Sequence, residues 1–361
     1  MVSRAELLQA VRRVAPALIS QESAPPVFRS VFFDGARVTA FDDEIALSSK
    51  IDFDGFQGGL DGKLLIGWLS TCTADDVHLE KQSKSSVKLT CGRSKLFLST
   101  LGLGEAVYKR PDDDNPEDVW LGAATNVVEA ARLVIPCMGS DMAHPTRVGV
   151  TVSIDNDGIA TVAATNNVTM AVASVQTDVV APYSHFEFVM WPRFASMLES
   201  MSRMDGVRNI TIGVDCGWLL AEFESGDELF GKTGLEVDIG TFVGMAESLD
   251  ADLKFGIPVG DRFAEVVERV AKIAQLSQSK NQTAALKITS HGVQFSVNTG
   301  LAALADSVAC RHTHSECSIV VNTAMLKNVM AQVTELAVSE HVVGLRGPAH
   351  SVWVSAASGA V

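Results

Sequence analysis

Gly92-Arg93-Ser94-Lys95-Leu96-Phe97-Leu98-Ser99-Thr100-Leu101 joins a turn signal to a strand of period two. Lys95, Phe97 and Ser99 face one way along it, and Leu96, Leu98 and Thr100 the other, so both faces carry apolar surface. Such a strand takes a neighbour on each side. The stretch that follows, Gly102 to Glu117, is glycine, proline and acid and offers no next strand. The missing neighbour is therefore expected from a second chain, which predicts an oligomer built by continuing a sheet.

The frame around this stretch is large. A chain of 361 residues is long for one core and predicts two or three domains. Hydrophobic residues make up 47% and aromatics only 6%, with Val and Ala dominant; this favours sheets with small-residue packing over a base-stacking surface. No apolar run reaches membrane-spanning length, and the N-terminal MVSRAELLQAV reads as an amphipathic helix without a signal-peptide core, so a soluble, cytoplasmic protein is expected, with no membrane partner. The six cysteines, Cys72, Cys91, Cys137, Cys216, Cys310 and Cys317, lie among alternating apolar residues, as reduced core thiols do. Cys310, His312 and His314 on one strand face, with Cys317 just beyond, form a candidate metal set; a hairpin with a polar face is the preferred reading, and no metal or cofactor is expected. A net charge of -14 argues against a protein that coats itself in nucleic acid. A local basic surface remains open, and the question becomes which face carries the 29 Lys and Arg.

Read in order, the chain repeats itself. A helix starts at Ser3, with Glu6 placed for a capping box and Leu7, Leu8, Val11 and Val14 as its stripe. Strands are expected at 27–33 and 38–47 about an Asp34-Gly35 turn, a second helix at 64–73, then strands at 86–90 and 95–100. After an acidic linker at 111–116 the order returns: a helix striped by Val127, Ala131 and Val134, strands at 148–154 and 159–175, a strand at 186–190, a helix at 194–204, and strands at 210–214 and 218–224. A third pass follows a loop at 236–252. It has a helix striped by Phe263, Val266, Val267, Val270 and Ala274, strands at 285–289 and 293–297, a helix at 323–336, and strands at 342–345 and 351–355. The parallel fragments LLIGWLSTC, FVMWPRFASMLESM and IVVNTAMLKNVMAQV mark the same place in each pass. Three α+β domains follow, at residues 1–115, 116–250 and 251–361, with helices on one side of their sheets. Basic residues gather on those helices at Arg12, Arg13, Arg132, Arg193, Arg203, Arg262, Arg269 and Lys272, with Lys280 just past one.

With these residues in hand the sequence resembles the bacterial DNA polymerase III β sliding-clamp family over essentially its whole length. GRSKLFLSTL is similar to the family's GRSRFxLSTL, and Thr39, Asp42 and Glu44 to its TxxDxE strand. Thr165 to Ala171 stands where the family has ATDGHRLA, Pro192-Arg193 at its PR helix start, and LSQSK at its LSxEK turn. The resemblance implies a homodimer joined head to tail, a six-domain ring with helices inside and sheets outside. Such a ring encircles double-stranded DNA without regard to sequence and tethers a replicative polymerase as a processivity factor, with no chemistry of its own. By the same resemblance Leu96, Leu98 and Leu276 lie at the joint between protomers, and the helix cations line the hole. A groove for short apolar motifs of the polymerase and the clamp loader is implied at Val148, Thr165, Asn167, Val168, Thr169 and Met170, with Met245.

Departures bear on that groove. Asn167-Val168-Thr169 replaces Gly-His-Arg, Ile239-Gly240-Thr241-Phe242 replaces the FPDYR loop, and the chain runs to Val361 without the MPMRL ending, which would remove a last strand and one groove wall. Partner preference is then expected to differ, as for a clamp serving a dedicated, phage-type polymerase. Enzymatic readings find little support: there is no GxxxxGK[ST] loop, no GxSxG elbow and no HExxH helix. Two rivals stand beside the clamp: a clamp-like structural or decoy protein that keeps the ring without tethering DNA, and a hydrolase of unrecognised type.

Overall fold

Ser3 starts the first helix as its position predicts, its hydroxyl accepting from the Glu6 amide at 3.5 Å while Leu7, Leu8, Val11 and Val14 turn inward. In the computed structural model, residues 1–53, 55–83, 85–106, 119–122, 124–141, 148–180, 186–203, 210–215, 218–233, 239–253, 256–276, 282–310, 316–330 and 332–357 are described. Their helices are α1 (Arg4–Val14), α2 (Pro26–Arg29), α3 (Gly62–Thr71), α4 (Thr125–Val134), α5 (Pro192–Ser202), α6 (Ile239–Asp252), α7 (Asp261–Ala274) and α8 (Thr323–Asn328). The chain forms two units, one of Met1–Thr125, Val179–Pro182 and Ser196–Thr233, the other of Asn126–Asp178, Tyr183–Ala195 and Gly234–Val361.

The first unit holds a nine-stranded sheet in the order Asp178–Val180, Val119–Gly122, Ile210–Asp215, Trp218–Phe223, Glu228–Lys232, Ile45–Lys50, Arg37–Phe41, Ser30–Phe33 and Gly58–Asp61. Phe32 stacks on Phe41 at 5.5 Å, and these two pack with Ala46, Leu220 and Phe230 in one buried cluster. A smaller sheet runs Val2–Ser3, Asp76–Ser83, Ser86–Cys91 and Ser94–Ser99. Among the described residues the opening stretch is thus an edge strand, paired with Ser86–Cys91 on one side only.

The second unit holds an eight-stranded sheet in the order Phe186–Met190, Val150–Ile154, Ile159–Thr165, Thr169–Gln176, His350–Ser355, Val342–Arg346, Glu335–Val338 and Gly256–Pro258. Its central seam pairs Met170 with Trp353. A four-stranded sheet runs Ala303–Ala309, Gly292–Asn298, Thr283–Thr289 and Cys317–Asn322. Against it α7 buries Phe263, Val266, Val267 and Val270, with the Phe263 and Phe295 rings 5.8 Å apart.

Several expected elements divide where a polar side chain closes a turn. The strand read at 38–47 is two, because Asp42 Oδ1 accepts from the Glu44 and Ile45 amides at 2.8 Å. The strand read at 159–175 is a hairpin: Asn166 Oδ1 accepts from the Val168 and Thr169 amides, and Asn167 takes a φ of 74°. The strand read from Val27 begins only at Ser30, after the Pro26-initiated turn of α2. The helix read at 323–336 stops at Asn328, Gln332 turns the chain at φ 58°, and Glu335–Val338 is a strand. Strands Gly58–Asp61, Asp76–Ser83 and Ala303–Ala309 went unread, the latter two because exposed, mostly polar or small residues blur their alternation. The closing strand read at 351–355 is present as His350–Ser355, paired on both sides, and residues 358–361, where the chain departs from the family's ending, lie outside the described residues. The largest correction is the loop read at 236–252, most of which is the fourteen-residue helix α6. The linker at 111–116, Lys280, His312 and His314 lie outside the described residues.

Candidate functional site

Sheet alternation sets an apolar face where the groove was expected. Met170 and Val172 lie on one face of their strand; across the ladders they meet Trp353 and Ala163, and Trp353 is paired with Gly344. Val189 and Val342 complete this apolar patch, and Phe242 of α6 is buried into it at 5% exposure. Ile239, Ala246, Leu249 and Leu253 pack around it at helical spacing. A Cβ added at Gly344 would stand 2.5 Å from Leu253 Cδ1, so the sheet lacks a side chain where Leu253 sits. The far end of α6 is polar: Trp353 Nε1 donates to Asp250 Oδ1 at 3.0 Å, and Arg346 bridges Asp250 at 3.2 Å and Glu335 at 3.0 Å.

The residues expected to line the groove separate. Met170 is on that apolar face; Thr165 and Thr169 are buried in the hairpin end, where Thr165 Oγ1 donates to the Thr169 carbonyl at 2.9 Å. Asn167 and Val168 cap that hairpin in solvent, and the Val168 carbonyl accepts from the Ser355 amide at 2.8 Å. Val148 is buried at an isolated bridge to Gly139, and Met245 points outward from α6 at 43% exposure. Phe242, Trp353, Val342 and Gly344 were missed. The stripe Ile239, Phe242, Ala246, Leu249 and Leu253 was the available signal. Near the hairpin, burial pushes the Cys137 thiol up to about 11.

The expected DNA-contacting cations fall into distinct states. Arg12 is exposed, with one bond to Ser70 Oγ at 3.0 Å. Arg13 is committed to the buried Asp227 at 3.0 Å, which also accepts from Ser49 Oγ at 2.6 Å and Ser225 Oγ at 2.8 Å. Arg132 is half-buried, Arg193 and Arg262 are exposed, and Arg203 pairs with Glu199 one turn back. Arg269 is held by Asp306 at 2.8 Å and Lys272 by Glu268 at 2.9 Å. The guanidinium of Arg269, by its hydrogen bond, holds the Asp306 carboxyl below the ordinary carboxylate value.

On the edge strand, Leu98 is buried at 6% and Leu96 half-buried, so the apolar residue shown to solvent is Phe97, at 65% exposure. Leu276 is exposed at 53%. Among the described residues no group of three His, Cys, Asp or Glu could hold a metal ion, and no described helix is long and apolar enough to cross a membrane.

Two long sheets, two four-stranded sheets and short helices make up a mixed helix-and-sheet fold that matches DNA sliding clamps. In particular, the fold is similar to that of solved DNA polymerase III β sliding clamps. The sliding clamp of Bacillus subtilis matches with a TM-score of 0.83 at 14% identity, over 99% of this chain and 98% of that one. The DNA polymerase III subunit beta of Pseudomonas aeruginosa matches at 0.79 and 16%, and the beta subunit of Thermotoga maritima at 0.79 and 13%, each over 99% of both chains. No family model matches the sequence, and no curated protein matches it.

Proposed function

We propose that this protein is a sliding clamp: a homodimeric ring that encloses duplex DNA and tethers a polymerase, doing no chemistry itself. The observation that carries this reading is a β-clamp backbone running through 99% of the chain. Three domains, at 1–115, 116–250 and 251–361, fit the recurrence of a helix ending in valine and an X-Pro-X turn, Val14-Ala15-Pro16-Ala17 and again Val134-Ile135-Pro136-Cys137. The unpaired edge strand with exposed Phe97, and Leu276, are the surfaces that would join two copies. Exposed helix arginines suit loose contact with phosphates, which needs positive charge but no base reading.

The pairing of Arg269 and Lys272 with acids, in a chain of net charge -14, favours one rival: a ring that has lost DNA tethering. One experiment separates them. Loaded onto nicked circular duplex at high salt, a topological clamp stays bound and is released when the circle is cut. Equal retention on circular and linear DNA, or none on either, would end the clamp reading.

A further inference from the structure

Cys72 and Cys91 are free thiols buried in the first unit, at 8% and 3% exposure. Cys72 closes α3, its amide donating to the Trp68 carbonyl at 3.2 Å. Cys91 ends the strand Ser86–Cys91, paired with Val77 on one side and on the other with Ser94, the first residue of the edge strand. The two meet at Ala74. Its carbonyl accepts from Cys91 Sγ at 3.4 Å and from Arg4 Nε at 3.1 Å, and a Cβ added at Gly92 would stand 3.1 Å from the Ala74 Cβ. The segment after Cys72 therefore lies directly against the turn after Cys91. The thiols also act on each other: burial first, then the side-chain hydrogen bond with Cys91, pushes the Cys72 thiol up, while a hydrogen bond with Ser94 and the charge of Arg4 pull it back. Such a pair differs from an isolated core cysteine, because a mixed disulfide formed at one sulfur can be resolved by the other.

We propose that Cys72 and Cys91 are a redox modification site, a dithiol that a small-molecule disulfide converts to an intrachain staple between α3 and the sheet of the edge strand. Cys72 attacks first, being the more exposed of the two and the one that Arg4 and Ser94 favour as a thiolate. Its thiolate displaces one thiolate from the small disulfide and forms a mixed disulfide. The Cys91 thiolate then attacks the Cys72 sulfur and expels the second. The pair loses two protons and two electrons, and the small disulfide leaves as two thiols. Burial makes this exchange slow, so the reduced pair is the resting form and the staple answers sustained oxidation. Its effect lies in what it joins. The Trp68 indole of α3 already donates to Ser94 Oγ at 2.8 Å, and Arg12 of α1 donates to Ser70 Oγ of α3 at 3.0 Å. A covalent bond beside these contacts fixes the helix layer to the sheet whose edge strand carries the exposed Phe97. The clamp reading supplies only what that edge meets; the staple itself does not rest on it.

To test this, the full-length protein is oxidised with excess oxidised glutathione, its free thiols are capped with iodoacetamide, and the digest is mapped by mass spectrometry. A Cys72–Cys91 crosslinked peptide should be the main oxidised species. The crosslink closes a loop of about 20 residues, so the first unit should melt about 6–12 °C higher and return to its starting midpoint on reduction. Hydrogen exchange of the 94–99 amides should slow at least tenfold. Cys72→Ala should remove all three effects, and Cys91→Ala should stop the reaction at the glutathione adduct of Cys72. Both thiols alkylated after prolonged oxidation, a crosslink to any other cysteine, or a crosslink that leaves melting and exchange unchanged overturns the proposal. Sedimentation of the reduced and oxidised protein is read in parallel: monomers in both forms would end the ring reading and leave the crosslink result standing.

Discussion

The two long sheets each bear an apolar face, and the chain covers them in different ways. In the first unit Val27, Phe28, Leu101 and Ala106 lie over Phe32, Phe41 and Phe230, and the cover is stapled by backbone: Leu101 and Gly59 exchange main-chain hydrogen bonds at 3.0 and 2.8 Å. In the second unit α6 lies over Met170, Val342 and Trp353 and is held by side chains. A backbone-stapled cover is part of the fold, since removing it leaves buried amides and carbonyls unpaired. A cover held mainly by side chains depends on their packing.

The sharpest test of that contrast is a ring removed from each face. Phe41→Ala should cost the first unit about 3–5 kcal/mol and lower its cooperative melting transition by calorimetry, because the whole aromatic cluster loses its centre. Phe242→Ala removes an equally buried ring, on the same scale of about 3–5 kcal/mol, yet should mainly loosen α6: its amides exchange fast while the sheet amides keep their protection. Global melting of the second unit by Phe242→Ala at the same scale as Phe41→Ala would erase the distinction.

Among the described residues the edge strand shows solvent a further apolar side chain, Phe97. Phe97→Asp should leave the stability of the isolated chain within about 0.5 kcal/mol, since the ring is solvated there. It should still convert the proposed dimer to monomers in sedimentation velocity at micromolar concentration; an unchanged dimer would remove Phe97 from the joint.

Smaller effects are expected from the helix cations. Reversing Arg12, Arg262, Arg269 and Lys272 together should flatten the salt dependence of DNA binding by about 0.9 in slope for each phosphate no longer neutralised. Arg13 is excluded because its loss strands the buried Asp227. The smallest effect belongs to Arg269→Gln, after which the Asp306 carboxyl, followed by NMR, should titrate nearer its ordinary 3.8. The sign follows from linkage: a depressed folded value makes the pair stabilising above the ordinary carboxylate range, and that contribution is lost as pH falls below 3.8. Because this pair is solvent-facing, neutral-pH stability should hardly move.

Much of this was legible in the residues. The stripes of α1, α4 and α7, the edge position of Ser94–Ser99 and the turn glycines Gly35, Gly158 and Gly292 follow from periodicity and from positive φ, which act over a few residues. The hairpin ends at Asp42 and Asn166 were misread because two strands and a short Asx turn carry the same alternation as one long strand. Helix α6 was misread because Gly240, Thr241 and Gly244 speak for a loop when only local propensity is weighed.

Sequence alone determined the stripes of α1, α4 and α7, the edge strand and the resemblance to the β clamps, since patterning and turn chemistry are local properties. Tertiary structure decided that Phe97 and not Leu98 meets solvent on the edge strand, that Arg13 serves Asp227, and that α6 packs on Met170 and Trp353. Each of those outcomes depends on which distant strand or helix arrives to bury a side chain, and burial against remote partners leaves no trace in the spacing of neighbours.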